Sequence, residues 1–224
     1  MLKLFKQLLT IIGVRMNPRW IVSLQAFVNY IRLGNWMKSH GFAFVERQPD
    51  RNAVFEKMAA KVTARKLLYL EFGVAYGESI RWWSAALKSP DAMLHGFDSF
   101  EGLPEEGGPW AKGQFDAKGK PPEVPDKRVT FFKGWFDQVL PTYKLPPHDQ
   151  LIVNLDADLY SSTIYVLRQL RPHLKPGTLV YFDEMNHMDH EPRAFDEFVA
   201  DTRIRFKPLA ADKTLAFVAF EIEA

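Results

Sequence analysis

The stretch Leu68-Tyr69-Leu70-Glu71-Phe72-Gly73-Val74-Ala75-Tyr76-Gly77-Glu78-Ser79 decides the fold. An apolar run enters a turn punctuated by two glycines and leaves it as a helix, the pattern of a buried parallel strand handing over to a crossover helix. Gly73 and Gly77 let backbone approach a ligand with no Cβ in the way. The first run, Leu67–Val74, is followed by others at Met93–Phe97, Val129–Phe132, Leu151–Leu155, Leu179–Phe182, Phe206–Ala210 and Leu215–Ile222. Helical stretches at Glu78–Leu87, Ser161–His173 and Pro192–Asp201 lie between them. This alternation predicts an α/β fold with a Rossmann-like, doubly wound, mostly parallel sheet of seven strands. The last two runs are separated by Asp212-Lys213 and are expected to form an antiparallel hairpin, an ending that a plain dinucleotide-binding fold lacks.

Upstream of residue 66 the style changes to helices. Asn17-Pro18 pairs an N-cap with a proline at the first helical position, Trp20 to Met37 follow, and Gly41 is a natural stop. Asp50 caps a further helix carrying Val54, Met58, Ala59 and Val62. The expected division is a helical segment over 1–49, serving lid, packing or oligomerisation, and one domain over 50–224. The start, Met1 to Val14, faintly resembles a signal peptide. It has no small-residue cleavage site, Arg15 and Arg19 follow closely, and it is too short to span a bilayer. The simpler reading is an amphipathic helix packed on the domain or a partner subunit, with membrane-surface attachment as the alternative and no stable insertion. A homo-oligomer is expected. Residues 101–126, rich in proline, glycine and charge, should be a long functional loop.

A length of 224 residues suits one domain with a short appendage. The absence of cysteine excludes disulfides, thiolate metal sites and cysteine nucleophiles, and fits a reducing, cytoplasmic setting. A formal net charge of +2 with no long Lys/Arg run gives no case for nucleic acid.

The Gly73 turn has the spacing Gly-x-x-x-Gly rather than the three glycines of a dinucleotide fingerprint. Glu71 at the strand end would repel a pyrophosphate but suits a ligand bearing an ammonium, which describes the methionine end of S-adenosylmethionine. Asp98 ends the second strand, 21 residues beyond Gly77, where an acid can bond both hydroxyls of a ribose. Two further strands end in acids, Asp156 and Asp158 in one and Asp183-Glu184 in the other. If they are neighbours their ends lie roughly 5 Å apart. So many carboxylates cannot all stay ionised in a bare cleft, and a hard cation such as Mg²⁺ would relieve the repulsion. Unrelated loop caps are the plainer alternative.

In these runs the chain resembles the macrocin O-methyltransferase family, S-adenosylmethionine-dependent enzymes that methylate sugar hydroxyls. The matching elements are Glu71-Phe72-Gly73-Val74 with Gly77-Glu78-Ser79, the run Phe97 to Pro104, Lys133-Gly134-Trp135-Phe136, the run Asp156 to Thr163, and Phe182-Asp183-Glu184. The resemblance covers roughly residues 50–222 and implies that Glu71, Gly73 and Gly77 line the methionine moiety. Asp98 would hold the ribose, and Gly134, Trp135 and Phe136 would flank the adenine. Tyr76, Ser79, Ser99 and Asp156 complete the cofactor set. Asp156, Asp183 and Glu184 would bind Mg²⁺, and Asp158 would be the general base, with Asp156 beside it in the catalytic pair. The acceptor would be a small molecule or glycan with a free hydroxyl. His187 and His190 stand where many relatives carry aromatic residues, and they are candidates to assist the base. An NAD-dependent oxidoreductase, a non-catalytic scaffold, and methyl transfer to nitrogen or a carboxylate without metal are the competing readings.

Overall fold

The structure is a computed structural model that describes residues 2–41 and 46–224. Met1 and residues 42–45 of the expected 1–49 segment lie outside the described residues. The chain divides into two compact units, Met1–His40 and Gly41–Ala224.

The first unit holds α1 (Leu2–Arg15) and α2 (Pro18–Ser39). As expected, Asn17 caps α2: its side-chain oxygen accepts the Arg19 N–H at 3.0 Å. At the other end the Trp36 and His40 rings stack at 4.3 Å.

The second unit is built on one sheet. In chain order it runs β1 (Arg47–Gln48), α3 (Arg51–Ala59), β2 (Leu67–Phe72), α4 (Glu78–Ala86), β3 (Met93–Asp98), β4 (Val129–Lys133) and α5 (Phe136–Val139). Then come β5 (Gln150–Leu155), α6 (Tyr160–Leu170), β6 (Leu179–Phe182), α7 (Glu191–Thr202), β7 (Arg205–Asp212) and β8 (Val218–Glu223). The strand order is β1-β7-β8-β6-β5-β2-β3-β4. All seven expected strands form, and an eighth, β1, pairs parallel with β7 through two residues. Two residues carry no periodicity, so that strand left no signal in the sequence. β7 and β8 form the expected antiparallel hairpin, and β8 also lies antiparallel to β6.

From β2 the chain winds outward through β3 and β4, then returns to lay β5 against the other side of β2. That reversal creates a crevice outside the carboxyl ends of the strands. The register aligns Phe72 with both Phe97 and Leu155, and Leu155 with Phe182, so four strand tips finish level.

Alternation in β2 explains both layers. Leu67 and Tyr69 join Val54, Phe55 and Met58 of α3 and Ile80 and Trp83 of α4 in one core. Phe72 stacks on Phe97 on the opposite face, and Phe97 on Phe132. Beneath α7, Phe195 packs on Phe182, Phe206 and Phe220. Each large side chain removed from water in this way contributes about 1.5–3 kcal/mol. Arg128 secures the far end of α4. Its guanidinium donates to the carbonyls of Ser84, Leu87 and Ser89 and to the Asp126 carboxylate, satisfying groups a helix end leaves bare.

Candidate active site

The crevice is a cavity of about 1030 Å³ whose wall is made by successive strand tips. Gly73 to Tyr76 follow β2, Asp98 and Ser99 end β3, Gly134 to Gln138 follow β4, Asp156 to Asp158 follow β5, and Asp183 follows β6. Of the residues singled out in the sequence, Gly73, Tyr76, Ser79, Asp98, Ser99, Gly134, Trp135, Phe136, Asp156, Asp158 and Asp183 all face this one space. Glu71, Gly77 and Glu184 do not line it.

The glycine turn is fixed by its neighbours. Gly73 has φ +90°, and a Cβ there would fall 1.7 Å from the Asp156 carbonyl oxygen. Its N–H donates to Phe97 O, that of Asp156 to Phe72 O, and that of Asp183 to Leu155 O, at 3.0, 2.9 and 3.0 Å. The three strand exits are therefore laced together, and Asp156 and Asp183 emerge side by side. Gly73 thus serves the approach of β2 to β5 as much as it clears room for a ligand. Gly77, with φ +78°, is needed where Pro122 of the long loop crosses: a Cβ would meet Pro122 Cγ at 2.7 Å.

Asp98 binds backbone in this structure. One carboxylate oxygen accepts the Val74 and Ala75 N–H groups, each at 2.8 Å, and the other accepts the Phe100 N–H at 2.6 Å. A carboxylate offers about four lone-pair positions, so these bonds tie the turn to β3 and leave room for a hydroxyl donor. Of the non-glycine residues lining the cavity, Ala75, Phe115 and Asp158 sit at positive φ, 45°, 67° and 56°. Three residues in the left-handed region around one cavity is the clustering of local strain found at functional sites.

The acids behave as a group. Asp158 is buried, and desolvation followed by the charges of Asp183 and Asp98 raises its carboxyl to about 7. Burial, then the neighbouring charges of Asp183 and Asp158, raises Asp156 well above the carboxylate range. Asp183 is also raised by burial, but less freely. Its Oδ1 accepts the Tyr181 hydroxyl at 2.6 Å and lies 3.9 Å from Arg51 Nη1, and both lower it. Arg51, at the start of α3, lines the cavity and was invisible in the sequence, because only the fold brings it to β6. Glu71 is sealed in. Its carboxyl accepts the Tyr69 hydroxyl, and burial raises it to about 8. Glu184 is raised to about 8, mainly by burial, and lies 3.4 Å from His187 Nε2. Glu191, wholly buried, was also missed. Its Oε2 accepts the Glu184 N–H at 2.8 Å, holding the segment after β6. Among the described residues, no three acids or histidines gather tightly enough to hold a metal ion as placed.

Residues 101–126 form the expected loop, and Trp110 is one of the points that pin it. Trp110 is buried between His187 and His190, with ring centroids at 4.6 and 5.1 Å. Cβ atoms on Gly107 and Gly108 would meet the His190 ring at 2.8 and 3.0 Å. The two histidines lie in a turn rather than on a shared helical face, and burial lowers the pKa of both. They fasten the loop and do not line the cavity.

The model of the methyltransferase domain family matches residues 70–185, just over half the chain and the whole run of strand tips from β2 to β6. The chain belongs to the methyltransferase domain family. Two curated relatives match shorter segments of the chain. The 8-demethyl-8-(2,3-dimethoxy-alpha-L-rhamnosyl)-tetracenomycin-C 4'-O-methyltransferase of Streptomyces olivaceus is 41% identical over 59 residues, 26% of this chain and 22% of that protein. The demethyldecarbamoylnovobiocin O-methyltransferase of Streptomyces niveus is 34% identical over 89 residues, 39% of this chain and 33% of that protein. The chain thus matches a third or less of the length of either relative. Among solved structures, the O-methyltransferase NovP superposes with a TM-score of 0.60 at 24% identity, covering 86% of this chain and 80% of that one. That likeness supports the Rossmann-like methyltransferase fold.

Proposed function

We propose that this methyltransferase domain transfers a methyl group from S-adenosylmethionine to a hydroxyl, with a sugar of a natural product or glycan as acceptor. This is the chemistry of the macrocin O-methyltransferase family that the sequence resembles. The observation that carries the reading is the single cavity in which the Gly73 turn, Asp98, Trp135 and Asp158 meet at the switch point. The names of both curated relatives point the same way, since each is an O-methyltransferase. The cavity fits the donor: a close-packed glycine turn for the amino-acid end, an acid at β3 for ribose, and Trp135 and Phe136 as apolar walls for adenine. S-adenosylmethionine supplies an electrophilic methyl group on a sulfonium. The chain's own residues hold acceptor and donor in line, exclude water beneath the 101–126 loop, and take the hydroxyl proton onto Asp158. Atoms balance as methyl ether, the demethylated thioether and one proton.

The acids at β5 and β6 offer the oxygen donors a hard cation prefers, and mutual repulsion adds to burial in raising Asp156 and Asp158. Asp156 and Asp183 would hold Mg²⁺, with Glu184 as the third donor the family implies. A bound Mg²⁺ would lower the pKa of the acceptor hydroxyl. One observation favours a metal-free form of the same reaction: the Arg51 guanidinium already faces Asp183.

Thermal shift with S-adenosylmethionine and with NADH, each with and without Mg²⁺, tests the reading. S-adenosylmethionine alone should stabilise, and stabilisation by NADH instead would overturn it. Asp98→Ala should weaken S-adenosylmethionine binding at least tenfold by calorimetry, a loss of about 1.4 kcal/mol. Asp156→Asn should abolish any Mg²⁺ dependence while leaving donor affinity within about twofold. Equal loss of both would refute the division of roles.

A further inference from the structure

We propose that α1 and α2 form a membrane-surface element that lies flat in the interfacial layer of an anionic bilayer. The argument begins with charge. Of the 29 Lys and Arg in the chain, six (Lys3, Lys6, Arg15, Arg19, Arg32 and Lys38) stand in the first 45 residues, and of the 27 Asp and Glu, none does. That segment is net +6 and the remainder net −4, so the overall +2 conceals a strong separation of sign.

The second observation is exposure. Among the described residues, every exposed large hydrophobic side chain except Tyr76 and Phe115 belongs to α1 or α2, and α1 buries none of its residues. At about 100° per residue, Leu4, Phe5, Leu8, Leu9 and Ile12 fall within one half of the α1 circumference and Lys3, Lys6, Gln7 and Thr10 within the other, while Val14 and Arg15 at the end of the helix reverse the pattern. Leu4 is 75% exposed and Phe5 58%. On α2, exposed Trp20, Leu24, Phe27 and Ile31 follow the i, i+4, i+7, i+11 spacing of one stripe, and exposed Ile21, Val28 and Tyr30 lie outside it, so apolar side chains spread round the helix. A soluble surface does not carry an apolar face this long without a partner.

The partner follows from the chemistry. No helix of the described residues is long and apolar enough to cross a membrane. A basic amphipathic helix with large aliphatic and aromatic residues on its apolar side is the form that rests in a lipid headgroup layer. Anionic lipids answer the charge and the acyl boundary answers the apolar stripe. A second copy of this chain, the occupant expected for a homo-oligomer, answers only the second requirement, because joining the two elements face to face opposes +6 to +6 with no acid in either.

Co-sedimentation of the full chain with vesicles tests this. Binding to vesicles of phosphatidylcholine with about 30 mol % phosphatidylserine should be at least about tenfold tighter than to phosphatidylcholine alone, and should weaken steeply at about 0.5 M salt. Replacing Lys3, Lys6, Arg15 and Arg19 together by Glu should abolish the anionic preference, and Leu8→Asp with Ile12→Asp should abolish binding to either vesicle. Unchanged far-UV helical signal and melting temperature of the full chain show that these variants remain folded. Absence of vesicle binding overturns the proposal, whether the chain is then monomeric or self-associates through these helices in sedimentation velocity. Equal binding to both vesicles overturns it as well.

Discussion

Replacing Gly73 by alanine is expected to lower the melting temperature by roughly 8–16 °C, corresponding to about 4 kcal/mol in a domain of this size. Two costs combine. The backbone at φ +90° is strained for any residue with a Cβ, and the new carbon would lie 1.7 Å from the Asp156 carbonyl oxygen and 2.7 Å from its carbon. Both are backbone atoms, so no rotamer change relieves the contact, and β2 must part from β5 where the crevice opens. Gly177 provides the control. Its φ is +87°, nearly the same, but nothing lies within 4 Å of its virtual Cβ. Gly177→Ala should therefore cost only about 1 kcal/mol, the conformational share alone. Thermal unfolding of the two variants separates backbone strain from collision, and equal losses would show that the β2–β5 contact carries no weight.

The second large effect is expected at Asp158. Asp158→Asn should reduce kcat by about 10²–10⁴-fold, the range for loss of a positioned general base, while S-adenosylmethionine affinity stays within about twofold. Asparagine is the right replacement because Asp158 sits at φ 56°, a conformation asparagine tolerates and alanine resists. The sign of the pH dependence follows from the direction of the shift. Burial and the charges of Asp183 and Asp98 raise the carboxyl to about 7. As the proposed base, Asp158 would be protonated and idle below that pH and competent above it. The wild-type rate should climb with pH through the neutral range, and a bound cation would move the rise to lower pH. The variant should lose the limb. A variant that kept both its rate and its pH profile would remove Asp158 from the reaction.

The sheet was legible in the sequence because its signals are local. β6 ran Leu179–Phe182 as read, and the Gly73 turn, the Asp98 terminus and the Asp156–Asp158 run each announced themselves by short-range pattern. What escaped notice was made by contacts between distant segments. β1 is too short for a pattern, and Arg51 meets Asp183 only across the folded sheet. Glu71 reads as a ligand to an ammonium group when taken with the turn that follows it, yet the fold buries it on the Tyr69 hydroxyl. His187 and His190 read as helpers of the base, and their packing against Trp110 could be known only once the long loop had a path.

That path has a consequence for how an acceptor arrives. Glycines 107 and 108 press closely on His190, which holds the loop against the segment after β6. Tyr76, 58% exposed, and Phe115, 40% exposed, both belong to the cavity wall yet reach into solvent. On the proposed function, an acceptor passing either ring would meet a flat aromatic face as well as the carboxylates. Under that reading the rim would favour acceptors able to lie against a ring before the acids within act on them.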